Sequence, residues 1–174
     1  MRYFGFLFLG LWFGAAAPAQ VTPRNLLRPY IGKLSTLLND KWHPFPQTAE
    51  EWSRVLADPA RGRLIAEGEK ALGFEFRPLP ATLILEYKRT GNRVHFEKAS
   101  FEKRNALWAL VLAESVEGKG RFTDKILDGV WSICEESYWG LPAHLGLQKA
   151  GTGLPDVNDP TVDLFTAETA AVLA

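Results

Sequence analysis

Two glutamates, a tyrosine, a tryptophan and a histidine lie within ten residues, between Glu135 and His144. They follow a strongly apolar helical segment and precede a stretch rich in glycine and proline. Histidine and tyrosine can accept or donate a proton, carboxylates bind hydroxyl groups, and tryptophan faces stack on sugar rings. Groups of this kind on a loop beside apolar support are typical of general-base and carbohydrate-binding sites.

We interpret five of these residues as candidate site residues: His144 and Tyr138 as auxiliary catalytic groups, and Trp139, Glu135 and Glu136 as substrate-binding groups. A structural role stays open for each of them. A tyrosine and a tryptophan at a helix end often cap the packing there, and the apolar neighbours of His144 suit a structural histidine equally well. Adjacent carboxylates point in different directions on a helix, so the two glutamates do not by themselves form a glycosidase acid/base pair.

The sequence predicts neither a metal site nor a cofactor. His43, His95 and His144 are far apart and lack the clustered spacing of metal ligands. Gly151-x-Gly153 has no strand before it, so it does not match a phosphate-binding loop. Cys134 is the only cysteine, which excludes an internal disulfide, and its apolar helix predicts a small hydrophobic side chain in the core.

The segments that position these residues have the sequence patterns of helices, which predicts an all-α fold. Residues 83–87 are interpreted as helical because the surrounding signals are helical, and Gly91-Asn92 suits the end of that helix. Residues 140–159 show little periodicity and are predicted to form a long functional loop. Four patterns are predicted to start helices: the capping box Thr48-Ala-Glu-Glu51, Asp58-Pro59, Ser100 and Asp159-Pro160.

The central helices carry more apolar surface than one side can bury. Residues 106–113 are apolar all round, and the next helix has two apolar faces, one of them formed by Leu127, Trp131, Cys134 and Tyr138. Such helices are expected to be covered on two sides. The chain offers too few partners for this, and its last apolar run has no stop signal before Ala174. We therefore expect the chain to be the N-terminal fragment of a longer protein.

The first residues are predicted to form a secretory signal peptide over residues 1–19. An apolar and aromatic run follows Met1-Arg2 and ends in Ala17-Pro18-Ala19, and it is shorter than the ~20 residues that a membrane span needs. A periplasmic or secreted protein is therefore expected, without membrane attachment after cleavage. The formal net charge is +0 and no Lys/Arg stripe occurs, which argues against nucleic acid as a partner.

Several segments resemble the N-terminal region of bacterial heparinase II/III-like proteins, from about residue 42 onward. The block W-S-I-C-E-E-S-Y-W-G carries most of the specificity. The matching segments are R-T-G-N-R (89–93), A-L-W-A-L-V-L-A-E-S-V-E-G-K-G-R-F (106–122), W-S-I-C-E-E-S-Y-W-G-L-P-A-H-L (131–145), G-L-P-D-V (153–157) and D-L-F-T-A-E-T-A (163–170).

This resemblance implies an incomplete α/α toroid, with lead-in helices over residues 20–80 and the first helical hairpins over residues 81–174. It also implies a polysaccharide lyase that cleaves acidic polysaccharides or oligosaccharides by β-elimination. Lyases of this family use an Asn/His pair, a tyrosine and a further histidine. The sequence contains no recognisable Asn-His pair, so the principal groups are expected beyond Ala174, and this fragment alone is expected to be inactive.

Two other functions remain open at this point. One is a glycoside hydrolase on a similar toroid, in which Glu135 or Glu136 would supply one of two carboxyl groups. The other is a non-catalytic helical module that binds carbohydrate.

Overall fold

The computed structural model describes His43 and residues 45–173. Regular structure within these residues is entirely helical, as predicted. None of the described helices is both long and apolar enough to cross a membrane. The predicted signal peptide and the lead-in residues before His43 lie outside the described residues. The helices are α1 (Ala49–Val55), α2 (Asp58–Ala71), α3 (Ala81–Thr90), α4 (Val94–Glu117), α5 (Thr123–Cys134), a 3-10 helix (Pro142–Leu147) and α6 (Leu164–Leu173).

Of the N-terminal caps predicted for the first two helices, one is confirmed and the other is wrong. The capping box before α1 is confirmed, because Thr48 Oγ1 accepts a hydrogen bond from the Glu51 backbone N–H at 3.2 Å. The Glu51 carboxylate reaches back one residue further, to the Gln47 N–H at 2.7 Å. For α2 the assignment of Asp58 as the cap is wrong: Ala57 holds that position without a side-chain bond, and Asp58 is already helical.

Helix α4 starts earlier than predicted. Gly91, at φ 75°, ends α3 as expected, and Asn92 Oδ1 then accepts from the Val94 N–H at 3.0 Å. This side chain satisfies a first-turn N–H group of α4, so the chain re-enters a helix at once. The prediction that Ser100 caps the helix is wrong, because Ser100 is buried inside α4, where its Oγ accepts from Arg104 at 2.9 Å.

Helix α4 is the centre of the fold and packs against α1, α2, α3, α5 and α6. Leu107, Leu110 and Ala113 are fully buried along it. A Cβ at Gly68 of α2 would lie 2.2 Å from the Cβ of Ala113, so the close approach of α2 to α4 requires glycine there. The apolar residues 106–113 of α4 were predicted to be buried on all sides, and this is wrong for Trp108, which is 41% exposed.

A tight turn through Gly118 and Gly120, both at positive φ, joins α4 to α5. The outer apolar face of α5 was predicted to be buried, and this is wrong. Leu127 is 60% and Trp131 69% exposed, and Cys134 is exposed as well. Only the face that carries Ile133 packs inward, because α4 is the main helical neighbour of α5 among the described residues.

The segment after α5 contains more regular structure than the long loop that was predicted for residues 140–159. The 3-10 helix forms within it, and the buried Gln148 side chain donates to the carbonyls of Gly151 and Leu154 and accepts from the Asp156 N–H. Helix α6 does not restart at Asp159-Pro160 as predicted. It begins at Leu164, where Asp163 Oδ1 accepts from the Thr166 N–H at 2.7 Å.

Candidate functional site

His144 and Asp163 form an ion-pair-type contact between the 3-10 helix and the start of α6. His144 Nδ1 lies 2.5 Å from Asp163 Oδ2. The Asp163 side chain is 6% exposed, whereas the His144 side chain is 40% exposed. One edge of the imidazole is thus held by a buried carboxylate, while the ring itself remains accessible to solvent. We call these two residues the His144–Asp163 pair.

The surroundings of Asp163 favour its ionised form. Burial by itself would raise the pKa of this carboxyl group. Hydrogen bonds from the Leu141 N–H at 3.0 Å, from His144 and from the Thr166 N–H outweigh burial and hold the pKa of Asp163 below its usual range. Asp163 is therefore a fixed negative charge at neutral pH. His144 Nε2 has no hydrogen-bond partner among residues 45–173.

Tyr138 lies next to this pair, with its ring against Gly140. Its hydroxyl group is buried and has no hydrogen-bond partner in the described part of the chain. Burial, and then the charge of Asp163, raise the pKa of Tyr138 to about 12. A Cβ on Gly140 would lie 2.3 Å from the Tyr138 hydroxyl oxygen and 2.9 Å from Asp163 Oδ2, so this arrangement requires glycine at position 140.

Glu136 forms a second, closed charge cluster. Its two carboxylate oxygens accept from Lys103 Nζ at 2.8 Å and from Arg104 Nη2 at 2.7 Å, and all three side chains are almost fully buried. Arg104 also donates to Thr169 Oγ1 at 2.7 Å. This Glu136 cluster, consisting of Lys103, Arg104, Glu136 and Thr169, ties α4 to the end of α5 and to α6.

The other two candidate residues have different surroundings. Trp139 donates its indole N–H to the Ile133 carbonyl at 2.8 Å, which closes the end of α5. This bond corresponds to the packing role that the sequence left open. Glu135 is exposed beside it and keeps its carboxylate free of hydrogen bonds to described residues.

A cleft of about 460 Å³ opens beside this segment. Tyr138, Glu135 and Glu136 line it, whereas His144 and Trp139 do not. Its other walls come mostly from apolar side chains around α3, the start of α4 and the loop after the 3-10 helix: Pro78, Leu79, Ala81, Ile84, Phe96, Leu154, Pro155 and Val157. The structure thus divides the five predicted residues between the cleft and its surroundings.

An Asn–His contact that the sequence did not reveal lies at the junction of α3 and α4. His95 Nδ1 is 2.9 Å from Glu86 Oε1, and Asn92 donates to the same carboxylate oxygen at 3.0 Å. The Asn92 amide and the His95 ring are 3.3 Å apart. Because Asn92 also accepts a hydrogen bond from the Val94 N–H at the start of α4, this contact serves the helix junction. Among the described residues, no three His, Cys, Asp or Glu side chains are grouped so that they could hold a metal ion.

Asp163 is the residue of this site that sequence reasoning missed. It lies 19 residues from His144, and no periodicity links the two. A local signal existed, since an aspartate before Leu-Phe-Thr is a good helix start, but the Asp159-Pro160 pattern nearby was preferred.

Comparison with known proteins adds no family assignment. No protein-family model matches the chain, and no curated protein matches it.

Proposed function

We propose that this chain forms part of an exported polysaccharide lyase of the heparinase II/III type, which cleaves uronic-acid-containing polysaccharide by β-elimination. In this proposal residues 20–80 are lead-in helices, and the hairpins from residue 81 onward begin an incomplete α/α toroid. The observation that carries the proposal is the His144–Asp163 pair, because it combines a solvent-accessible imidazole with a buried, ionised orienting group.

The proposed reaction removes the C5 proton of a uronic acid and expels the oxygen at C4. The electrons of the C5–H bond form the C4–C5 double bond as the C4–O bond breaks, and the leaving oxygen takes up a proton. A base must reach the C5 proton, and His144 Nε2 is free to accept it. The charge of Asp163 then stabilises the imidazolium that forms, as an aspartate does beside the histidine of a catalytic triad.

The neighbouring residues receive narrower roles. Tyr138 stays protonated at neutral pH, so it is suited to donate a proton or a hydrogen bond and not to act as the base. Glu135, exposed at the cleft, is proposed to bind sugar hydroxyl groups. Trp139 and Glu136 are engaged with the protein itself, and their proposed contribution to substrate binding is to hold this wall of the cleft in place.

A glycoside hydrolase is less well supported. That chemistry needs a carboxyl group that can deliver a proton to the leaving oxygen and a second carboxyl group across the cleft. Both oxygens of Glu136 are occupied by Lys103 and Arg104, which leaves neither free for a leaving group. Glu135 would then lack the second carboxyl group that it needs from the described lining of the cleft.

Product spectroscopy on the full-length protein tests the proposal. The purified protein would be incubated with heparan-like and alginate-like polysaccharides, and both near-ultraviolet absorbance and reducing ends would be followed. A lyase produces both signals, because elimination leaves an unsaturated uronyl end. Reducing ends without new absorbance would indicate a hydrolase, and binding without either signal would indicate a carbohydrate-binding module; each of these results would reject the lyase proposal.

A further inference from the structure

We propose that Asp163 is a positioning residue that sets which nitrogen of His144 carries the proton in the neutral imidazole. This inference rests on the proposed function for its catalytic meaning, but its structural content concerns these two side chains alone. An aspartate at this position would hold the Nδ1–H form, and Nε2 would then be the basic nitrogen that is left to accept a proton.

The hydrogen bonds around Asp163 fix the direction of its contact with His144. An ionised carboxylate only accepts hydrogen bonds, so His144 Nδ1 must donate. The Leu141 N–H donates to the same oxygen, Oδ2, and the Thr166 N–H donates to Oδ1. Both backbone donors are held by helix starts, the 3-10 helix on one side and α6 on the other. Asp163 therefore has little freedom to turn away from the imidazole.

This geometry makes asparagine an informative replacement. Asparagine is as good a helix N-cap as aspartate, so Asp163→Asn can keep its oxygen on the Thr166 N–H. With the oxygen there, its NH2 group takes the place of Oδ2, loses the hydrogen bond from the Leu141 N–H and points a donor at His144 Nδ1. The imidazole must accept there, which moves the ring proton to Nε2. Nε2 then becomes a donor and can no longer remove a proton from the substrate.

The position of the ring proton is measurable without any assay of activity. Histidine would be labelled with ¹⁵N, and the signal of His144 would be assigned by its loss in His144→Ala. At a pH where the ring is neutral, we expect the proton on Nδ1 in the wild type and on Nε2 in Asp163→Asn. Asp159→Asn is the matched control, because Asp159 accepts from a backbone N–H, that of Lys149, at 2.7 Å, and has no hydrogen bond with a histidine among the described residues.

The kinetic arm uses a double-mutant cycle on the full-length protein. Asp163→Asn should lower kcat by about 10²–10⁴-fold, the usual contribution of a general base, and should add no further loss in the His144→Ala background. A purely structural role would lower kcat in both backgrounds and shift the melting temperature with it. Asp163→Ser is the second variant, because it keeps a cap oxygen but removes the carboxylate, and it is expected to release the ring proton from Nδ1.

The measurement of the ring proton and the measurement of activity distinguish a failure of the positioning role from a failure of the proposed lyase. A folded Asp163→Ser protein whose ring proton stays on Nδ1 overturns the positioning role, whatever the activity, because serine has no carboxylate to hold that proton. A wild type that forms no unsaturated product overturns the proposed lyase, even if the ring proton moves as expected.

Discussion

The Glu136 cluster and the His144–Asp163 pair both place a nearly buried carboxylate beside nitrogen-bearing side chains, but they differ in what they leave free. In the first, two cations take up both oxygens of Glu136, and the nitrogens themselves are buried. In the second, both carboxylate oxygens of Asp163 also accept hydrogen bonds. Its partner His144, however, is 40% exposed, and Nε2 of that ring has no hydrogen-bond partner among the described residues.

This difference separates a structural role from a chemical one. A closed charge cluster is suited to hold elements together, because both carboxylate oxygens of Glu136 already accept hydrogen bonds from the protein. A pair that is closed on the carboxylate side and open on the imidazole side can pass a proton to a bound molecule. The proposed function therefore ranks His144 above Glu136 by free hydrogen-bonding capacity, although Glu136 lines the cleft and His144 does not.

The largest effect is expected from breaking the closed cluster. Glu136→Gln removes the only negative charge that contacts Lys103 and Arg104 among the described residues, and leaves two cations buried. Breaking a buried ion pair in this way costs about 3–5 kcal/mol of unfolding free energy. Urea unfolding of the purified protein measures it. Glu135→Gln is the matched control, because Glu135 is exposed, and its effect should stay within about 0.5 kcal/mol. Equal effects of the two substitutions would contradict the assignment of Glu136 as a structural residue.

A smaller effect is expected from crowding the open pair. Gly140→Ala would press a methyl group against the Tyr138 hydroxyl and Asp163, at a cost of about 1–3 kcal/mol for overpacking. Gly62→Ala is the control, since nothing lies within 4 Å of a Cβ there, and alanine in a helix should stabilise by about 0.5–1 kcal/mol. Thermal unfolding of both variants tests this expectation, which fails if Gly140→Ala is as stable as the wild type.

The smallest effect concerns pH. The pKa of Asp163 is lowered in the folded protein, so its charge stabilises the fold at pH values above the ordinary carboxyl pKa of about 4. That contribution is lost as the pH falls through the lowered folded-state pKa. The unfolding free energies of the wild type and Asp163→Asn should therefore converge between neutral and strongly acidic pH. A difference that stays constant across this range would show that the charge of Asp163 does not stabilise the fold.

The sequence predicted local features of the fold well. The capping box at Thr48 and the stop at Gly91 each depend on residues close together in the chain. Ser100 was misjudged because its local pattern suits a cap, whereas the helix begins at Val94, where the backbone N–H donates to Asn92 Oδ1, and Ser100 is buried within it.

The candidate site could be predicted only in part. The segment from Glu135 to His144 was identified because its residue types are unusual for a helix end, but its long-range partners were not visible. Glu136 contacts Lys103 and Arg104, which lie more than 30 residues away in the chain. His144 contacts Asp163, which follows a loop without periodicity. These distant partners decide which side chains have all their hydrogen-bonding atoms occupied and which keep one free. Residue types alone therefore could not favour His144 over Glu136 as a candidate catalytic group.

The most direct test compares two histidines in the full-length protein. His144 and His95 each hold Nδ1 on a carboxylate, and both rings are accessible. Initial rates of unsaturated product formation would be measured for His144→Ala and His95→Ala by near-ultraviolet absorbance, with melting temperatures alongside. We predict that His144→Ala loses at least about 10²-fold in rate with little loss of stability, and that His95→Ala keeps the wild-type rate. A wild-type rate in His144→Ala, above all with a loss in His95→Ala, would contradict the account.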